Sequence, residues 1–293
     1  MTHSLVGTGV WSSALRYGDP AQIATAAAEL ETLGYSALWI PDVGGDVFGA
    51  IGNLLSATTS SIVATGILNL WLHTAEETAE QHAALTAAHG PRFLVGIGVG
   101  HRPSIDRIIA EGTYQQPLAQ MAAFLDALDA ADKPLAPQDR ALAALGPKML
   151  ELAATRTAGA HPYLVTPEHS RIAREALGSD ALVATEQGVV LETDPERARA
   201  IARDNVQRYM VLPNYTRNWM RLGFTDDDLA GRGSDRLVDA VIAHGTADQL
   251  AARLDEHLRA GADHVPVQVL GDDLLAGYRT LAPVLGLSAR AGG

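Results

Sequence analysis

The sequence has no cysteine, few aromatic residues and no long apolar run. Without cysteine there are no disulfides, no thiolate metal sites and no cysteine nucleophile. Phe, Trp and Tyr make up only 5% of the chain, so its helices are filled instead with alanine, as in "ATAAAEL" and "LAARLDEHL". No stretch approaches the roughly 20 apolar residues of a membrane span. The opening "MTHSLVGTGVW" lacks the basic start and apolar core of a secretory signal, so a cytoplasmic protein is expected. Basic charge is also short: 22 Lys and Arg face 34 Asp and Glu, a net charge of −12. That balance opposes nucleic acid or an anionic membrane as partner, while leaving room for a local basic pocket that holds an anionic cofactor. The helix carrying His82 and His89 has no carboxylate to complete a metal set, and H-E-x-x-H is absent, so no metal is expected. The absence of a G-x-S-x-G elbow argues against a hydrolase.

What is present is alternation. A helix-period stretch ends at glycine and a short apolar run follows, in "AAELETLGYSALWIP", "LELAATRTAGAHPYLV" and "LDEHLRAGADHVPVQVL". Gly34, Gly159 and Gly261 stand where a helix end wants a residue tolerant of positive φ. The reverse junction also recurs: Asp19–Pro20, Thr166–Pro167 and Asp194–Pro195 each offer a cap followed by proline at the first helical position. The spacing predicts strands over Leu5–Val10, Ala37–Ile40, Ser61–Leu68, Phe93–Val99, Ala141–Leu145, Pro162–Val165, Leu182–Val190 and Val265–Leu270. Eight such units fit an α/β fold, a (β/α)8 TIM barrel; an open doubly wound sheet would alternate too. With no low-complexity linker, one domain over residues 1–293 is expected. Met210–Asp235, containing "PNYTRNWMRLGF", reads as a loop-rich insertion over the C-terminal face of the barrel.

In a barrel the chemistry gathers at the C-terminal ends of the strands. Those ends carry "PDVGG", "GILNLWLH", "GVGHRPS", "LGPKM" and "VTPEH", polar against apolar strand interiors. "GIGVGH" is not the dinucleotide fingerprint G-x-G-x-x-G, and Pro103 follows where a helix would begin. "LGPKM", Leu145, Gly146, Pro147, Lys148 and Met149, opens a helix with free N–H groups and a cation, a setting for phosphate. Val165–Thr166 has a similar setting, and the general barrel rule would favour the loops after strands seven and eight. His73 and His101 lie at strand ends and titrate near neutrality, which makes them the candidate acid–base groups.

The ordered set "GYSALWIPD", "TGILNLWLHTAEETA", "GPRFLVGIGVGH" and "LGPKMLELAATRTAGAHPYLVTPEH" resembles the luciferase-like monooxygenase superfamily, and within it the deazaflavin branch that uses coenzyme F420. The resemblance implies a homodimeric oxidoreductase that transfers hydride between the deazaflavin C5 and a small organic substrate. An FMN-dependent monooxygenase and a non-catalytic flavin-binding protein are the alternatives. It implies a non-proline cis peptide from Gly66 to Ile67, a bulge backing the cofactor ring, with Asn69 offering its amide. It also implies that Gly98 and Gly100 let the backbone pass beside a flat ring, and that the phosphate tail lies near Leu145–Met149 and Val165–Thr166. Trp11 and Trp71 are candidate walls of the substrate pocket. Two departures stand out. His101 replaces a glutamate acid found in sugar-phosphate dehydrogenases of the family, and Val43 follows Asp42 where several members carry a histidine against the ring. Asp42 and the two histidines are thus the candidates for the missing acid–base work.

Overall fold

The computed structural model describes residues 5–288. Its strands are β1 (Gly7–Trp11), β2 (Ala37–Ile40), β3 (Ile62–Thr65), β4 (Leu68–Asn69), β5 (Phe93–Gly98), β6 (Arg140–Leu142), β7 (Gly159–Ala160), β8 (Leu182–Val183), β9 (Gln187–Val190), β10 (Ile242–His244) and β11 (His264–Val269). Every pairing is parallel, in the order β10-β9-β11-β1-β2-β3-β5-β6-β7-β8, with β4 continuing β3 beside β5. The sheet curls until the segment beyond β8 meets β11. Ala184, just past β8, bridges His264 of β11, and Thr185 donates its N–H to His264 O at 3.0 Å. This is an α/β barrel whose seventh stave is broken in two, β8 and β9.

The helix-start signals act as their chemistry requires. Asp19 and Asp194 each accept two backbone N–H bonds at the starts of Pro20–Thr32 and Pro195–Val206. Gly34 and Gly261, at φ 98° and 105°, end helices in the left-handed region. Gly159 instead opens β7; an added Cβ there would lie 1.9 Å from Leu182 O, so glycine admits the neighbouring strand.

Three expectations need correction. The sixth strand is Gly159–Ala160 and not Pro162–Val165, because Pro162 has no N–H for a ladder and Leu164 turns to φ 56°. The run Leu182–Val190 is interrupted at Ala184–Glu186 to close the ring. The insertion is larger and more helical than read. Between β9 and the helix Ala247–Arg259 it holds Pro195–Val206, Pro213–Arg221 and Asp235–Val241, followed by β10. It carries its own core, in which Trp219 is fully buried and donates to Leu164 O at 3.2 Å. No helix among the described residues is long and apolar enough to cross a membrane.

The barrel interior is filled rather than hollow. Trp39 is fully buried, donates to His264 Nε2 at 3.2 Å and stacks on His161 with centroids 4.3 Å apart. Burial pushes His161 down to about 4 and His264 down to about 3, so both are neutral packing groups at physiological pH. His161 Nδ1 donates to Ala184 O at 2.8 Å, which ties the filled interior to the broken stave.

Candidate active site

The C-terminal mouth is organised around the turn between β3 and β4. A cis peptide joins Gly66 to Ile67. Trp11, the last residue of β1, donates from Nε1 to Gly66 O at 3.2 Å. An added Cβ at Gly66 would meet that nitrogen at 2.4 Å, so only glycine fits beneath the indole. From the other side Asp42 clamps the turn: its N–H donates to Ile67 O at 3.3 Å, and its Oδ2 accepts from Asn69 N at 3.1 Å. Gly98 and Gly100 serve the same turn. Cβ atoms there would lie 2.5 Å from Ile67 Cγ1 and 2.6 Å from Asn69 Nδ2. Asn69 turns its Oδ1 to Trp71 N at 3.1 Å, and Trp71 Nε1 donates to Val99 O at 2.8 Å.

The two candidate histidines differ in their surroundings. His73 has both ring nitrogens engaged, Nε2 with Asp42 at 3.1 Å and Nδ1 with Glu77 at 3.2 Å. Burial disfavours its charge, yet the Asp42 hydrogen bond and the two carboxylates outweigh that and hold its proton affinity above the ordinary imidazole range. Asp42 is shifted in the complementary sense: burial opposes its charge, but the hydrogen bonds from His73 and Asn69 N keep it below the usual carboxylate range. This is a brace between the end of β2 and the helix Ala75–His89. His101, by contrast, has a buried Nδ1 with no partner, and burial depresses its proton affinity. Its ring lies 5.7 Å from Tyr215 and 6.0 Å from Tyr209. Val43 is exposed and takes no part in these contacts.

A second corner is electropositive. The helix Pro147–Arg156 begins at Gly146, which has no side chain to cap it, and has no acidic residue in its first turn. Lys148 stands there, although a helix N-terminus disfavours a cation. The neighbouring helix Pro167–Leu177 begins at Thr166, which makes no cap bond; its Oγ1 is buried without a partner. Leu145 O accepts from His169 Nε2 at 3.1 Å and from Arg221 Nη2 at 3.4 Å, bringing both helices and the insertion together. Arg221 loses some proton affinity to burial and then to repulsion from Arg217. The inner residues Met149 and Val165 pack below, Val165 fully buried.

Neither Arg217 nor Arg221 was singled out in the sequence. The available signal was "TRNWMR": two arginines at i and i+4 with no acid within reach, where the chain's other helical arginines commonly face one, as Arg171 faces Glu168 and Glu175. Tyr163, Tyr209, Tyr215 and Glu186 were missed as well. Glu186 sits at the break between β8 and β9, fully buried. Its Oε2 accepts from Leu164 N at 3.0 Å and its Oε1 has no partner. Burial pushes its carboxyl up to about 8, against a small opposing effect of the Leu164 N–H. A cavity of about 310 Å³ lies between the helices Pro20–Thr32 and Leu274–Val284, and Asp42, His101 and Thr166 are not in its lining; Tyr17, which is, accepts from Val43 N at 3.2 Å.

Comparison with known proteins gives the arrangement a context. No curated protein matches the chain in sequence. Among solved structures, the chain is similar to an F420-dependent secondary alcohol dehydrogenase in complex with an F420–acetone adduct, at 14% identity and TM-score 0.74, covering 98% of this chain and 100% of that one. It is similar to the coenzyme F420-dependent tetrahydromethanopterin reductase from Methanopyrus kandleri, at 16% identity and TM-score 0.69, covering 95% and 97%. It is as similar in fold to an EDTA monooxygenase from Chelativorans sp. BNC1 as to the alcohol dehydrogenase, at 13% identity and TM-score 0.74, covering 96% and 93%. Those identities speak for the fold. The family model of the luciferase-like monooxygenases matches residues 1–264, and the chain belongs to that family of oxidoreductases and monooxygenases.

Proposed function

We infer that the protein is an F420-dependent oxidoreductase, with the cofactor in the barrel mouth and its anionic tail on the electropositive corner. The observation that carries this reading is that corner. Three cations lie there in a chain of net charge −12: Lys148 and Arg221 flank the uncapped N-terminus at Gly146, and Arg217 is close enough to Arg221 to repel it. The second uncapped N-terminus, at Thr166, has Glu168 in its first turn, paired with Arg171. Among the described residues none of the three has an ion-pair partner, and the orphan Thr166 Oγ1 is a ready donor to a phosphate oxygen. Unneutralised cations that repel one another are stabilised by a multivalent anion, and a phosphodiester tail bearing further carboxylates is one.

When bound, the deazaflavin would supply hydride exchange at its C5. The chain's own part is positioning and proton handling. The turn Gly66–Asn69, held by Trp11 and Asp42, offers a fixed surface at the end of β3. His73 keeps Asp42 in place as a positioning residue. His101 is the proton-exchanging group of this reading, because its Nδ1 is buried and uncommitted while its proton affinity suits a neutral ring.

A titration of the purified protein with F420, and separately with FMN, followed by cofactor fluorescence, tests the reading. Saturable F420 binding that FMN does not displace is the expected result. Tight FMN binding with oxygen consumption, and no affinity for F420, would replace it with an FMN-dependent monooxygenase. F420 binding without turnover of any substrate would leave a non-catalytic binding protein.

A further inference from the structure

Two residues other than glycine have a left-handed backbone among those described: Gln116, which is exposed, and Leu164, which is buried at φ 56°. Leucine disfavours that conformation and keeps it only where its surroundings hold it. Here two side chains do so. Leu164 N donates to Glu186 Oε2 at 3.0 Å, and Leu164 O accepts from Trp219 Nε1 at 3.2 Å. The acid belongs to the barrel and the indole to the insertion, so Leu164 is a joint between the two. Its side chain packs in the insertion's own core, with Trp219 and Ile242.

The joint lies beside the electropositive corner on both sides. Two residues after Leu164 stands Thr166, at the start of the helix Pro167–Leu177, with its Oγ1 unpaired. Two residues after Trp219 stands Arg221, whose Nη2 reaches Leu145 O at 3.4 Å and Asn218 Oδ1 at 3.2 Å. Asn218 is buried, 2% exposed, and its Nδ2 has no partner. The corner thus has a barrel half and an insertion half, each with an unpaired donor, and the Leu164–Trp219 hydrogen bond sets their separation.

Glu186 is enclosed by both bodies. A Cβ added at Gly188 would run into Ile242 Cδ1 and lie 3.7 Å from the unpaired Glu186 Oε1, so Ile242 of β10 covers the acid where Gly188 has no side chain. The titratable groups that face the carboxyl are phenols: Tyr163 beyond β7, Tyr209 and Tyr215 of the insertion, and Tyr278 of the helix Leu274–Val284. Burial raises the proton affinity of all four, so none is an anion near neutrality. Among the described residues the carboxyl has no ion pair, and its one hydrogen bond comes from Leu164 N.

We propose that Glu186 is a positioning residue of the electropositive corner: it clamps Leu164 in the conformation that presents its carbonyl to Trp219, and so holds Asn218 and Arg221 against the helix starts at Gly146 and Thr166. The proposal rests on that corner being an anion site, as read above, and not on which anion fills it. Release of the insertion hydrates the carboxyl, which then ionises near 4.5, whereas the clamped group holds its proton to about 8. Opening therefore becomes easier as pH rises between those values, by up to about tenfold per unit.

Amide hydrogen exchange across residues 213–224, corrected for its intrinsic pH dependence, reads the opening directly. In the wild type, opening should be about fiftyfold greater at pH 7.5 than at pH 5.5. Glu186→Gln keeps an acceptor for Leu164 N but cannot ionise, and should show no such rise. Trp219→Phe keeps a ring and loses the N–H, and should open about fivefold more at either pH. Pyrophosphate at about ten times its dissociation constant should slow exchange of the same residues about tenfold. The proposal is overturned by equal pH dependence in wild type and Glu186→Gln, or by unchanged exchange in Trp219→Phe. It is equally overturned if the insertion exchanges only together with β2 and β3, or if pyrophosphate gives no protection. F420 titrations report separately on the cofactor: a protein that pyrophosphate protects and F420 does not bind would fail that reading and leave the positioning role standing.

Discussion

Glu186→Gln isolates the most unusual ionisable group in the molecule. The carboxyl is fully buried, has one oxygen without a partner, and is pushed by burial from 4.5 to about 8. Below the unfolded value both states hold the proton and stability does not depend on it. As pH rises past that value, the unfolded chain releases its proton while the folded chain keeps it until about 8. Stability therefore falls throughout the window between them. At about 1.4 kcal/mol per tenfold in proton affinity, the full loss is about 5 kcal/mol, and about half of it falls between about pH 5 and about pH 7. Glutamine keeps an acceptor for the Leu164 N–H and does not titrate. Its amide nitrogen in the orphan position costs about 1–3 kcal/mol, but that offset is independent of pH. Urea unfolding of both proteins at the two pH values gives the answer as a difference of differences, in which every other titrating group cancels. The wild type should lose about 2–3 kcal/mol more than Glu186→Gln on going up in pH. Parallel pH dependences would refute the assignment of a neutral buried acid at the stave break.

Other consequences are open to measurement. Glu31 accepts the N–H groups of Thr59, Ser60 and Ser61, which overcome burial and bring its carboxyl down to about 2. Glu31→Gln should cost about 2 kcal/mol in urea unfolding near neutrality, and this contribution should vanish in the wild type as pH falls through about 2. The Asp42–His73 brace has a two-sided window. Its stability is present below the ordinary imidazole range and is lost as pH rises through the raised His73 value; it is also lost in acid as Asp42 protonates through its lowered one. His73→Ala should flatten the alkaline limb in thermal melts. Arg221→Glu should weaken binding of an anionic cofactor by about tenfold or more with little effect on folding, since Arg221 is exposed and makes no ion pair. Equilibrium titration checks it.

The sequence was most informative where structure is local. Asp19–Pro20 and Asp194–Pro195 start helices because a carboxylate cap and a preset φ act within one turn. The run Ala37–Ile40 is a strand in full because it is buried on both faces and bounded by turn residues. The Gly66–Ile67 cis peptide was placed by resemblance and not by any property of the residues themselves. Long-range geometry was hidden. β10 follows "DRLVDAV" without a breaker, so Ile242–His244 reads as the continuation of a helix. Pro162–Val165 is as apolar as a strand and leaves the sheet only because proline and a left-handed Leu164 intervene. The contact of Arg221 with Leu145, at the start of the helix Pro147–Arg156, spans 76 residues of chain. The Tyr163–Tyr209 hydroxyl contact likewise joins an exit loop to an insertion that no periodicity predicts. His73 and His101 looked alike as strand-end histidines, and only their partners separate them: two carboxylates for one, none for the other.

The central claim is that the mouth holds a deazaflavin whose tail lies on the corner between Gly146–Lys148 and Thr166. A crystal structure of the protein with bound F420 tests it most directly. The account predicts the tail phosphate within hydrogen-bonding distance of those N-terminal amides and Thr166 Oγ1, with the ring beside the Gly66–Asn69 turn. Density for the cofactor anywhere else, such as the cavity between Ser12 and Tyr278, would contradict it.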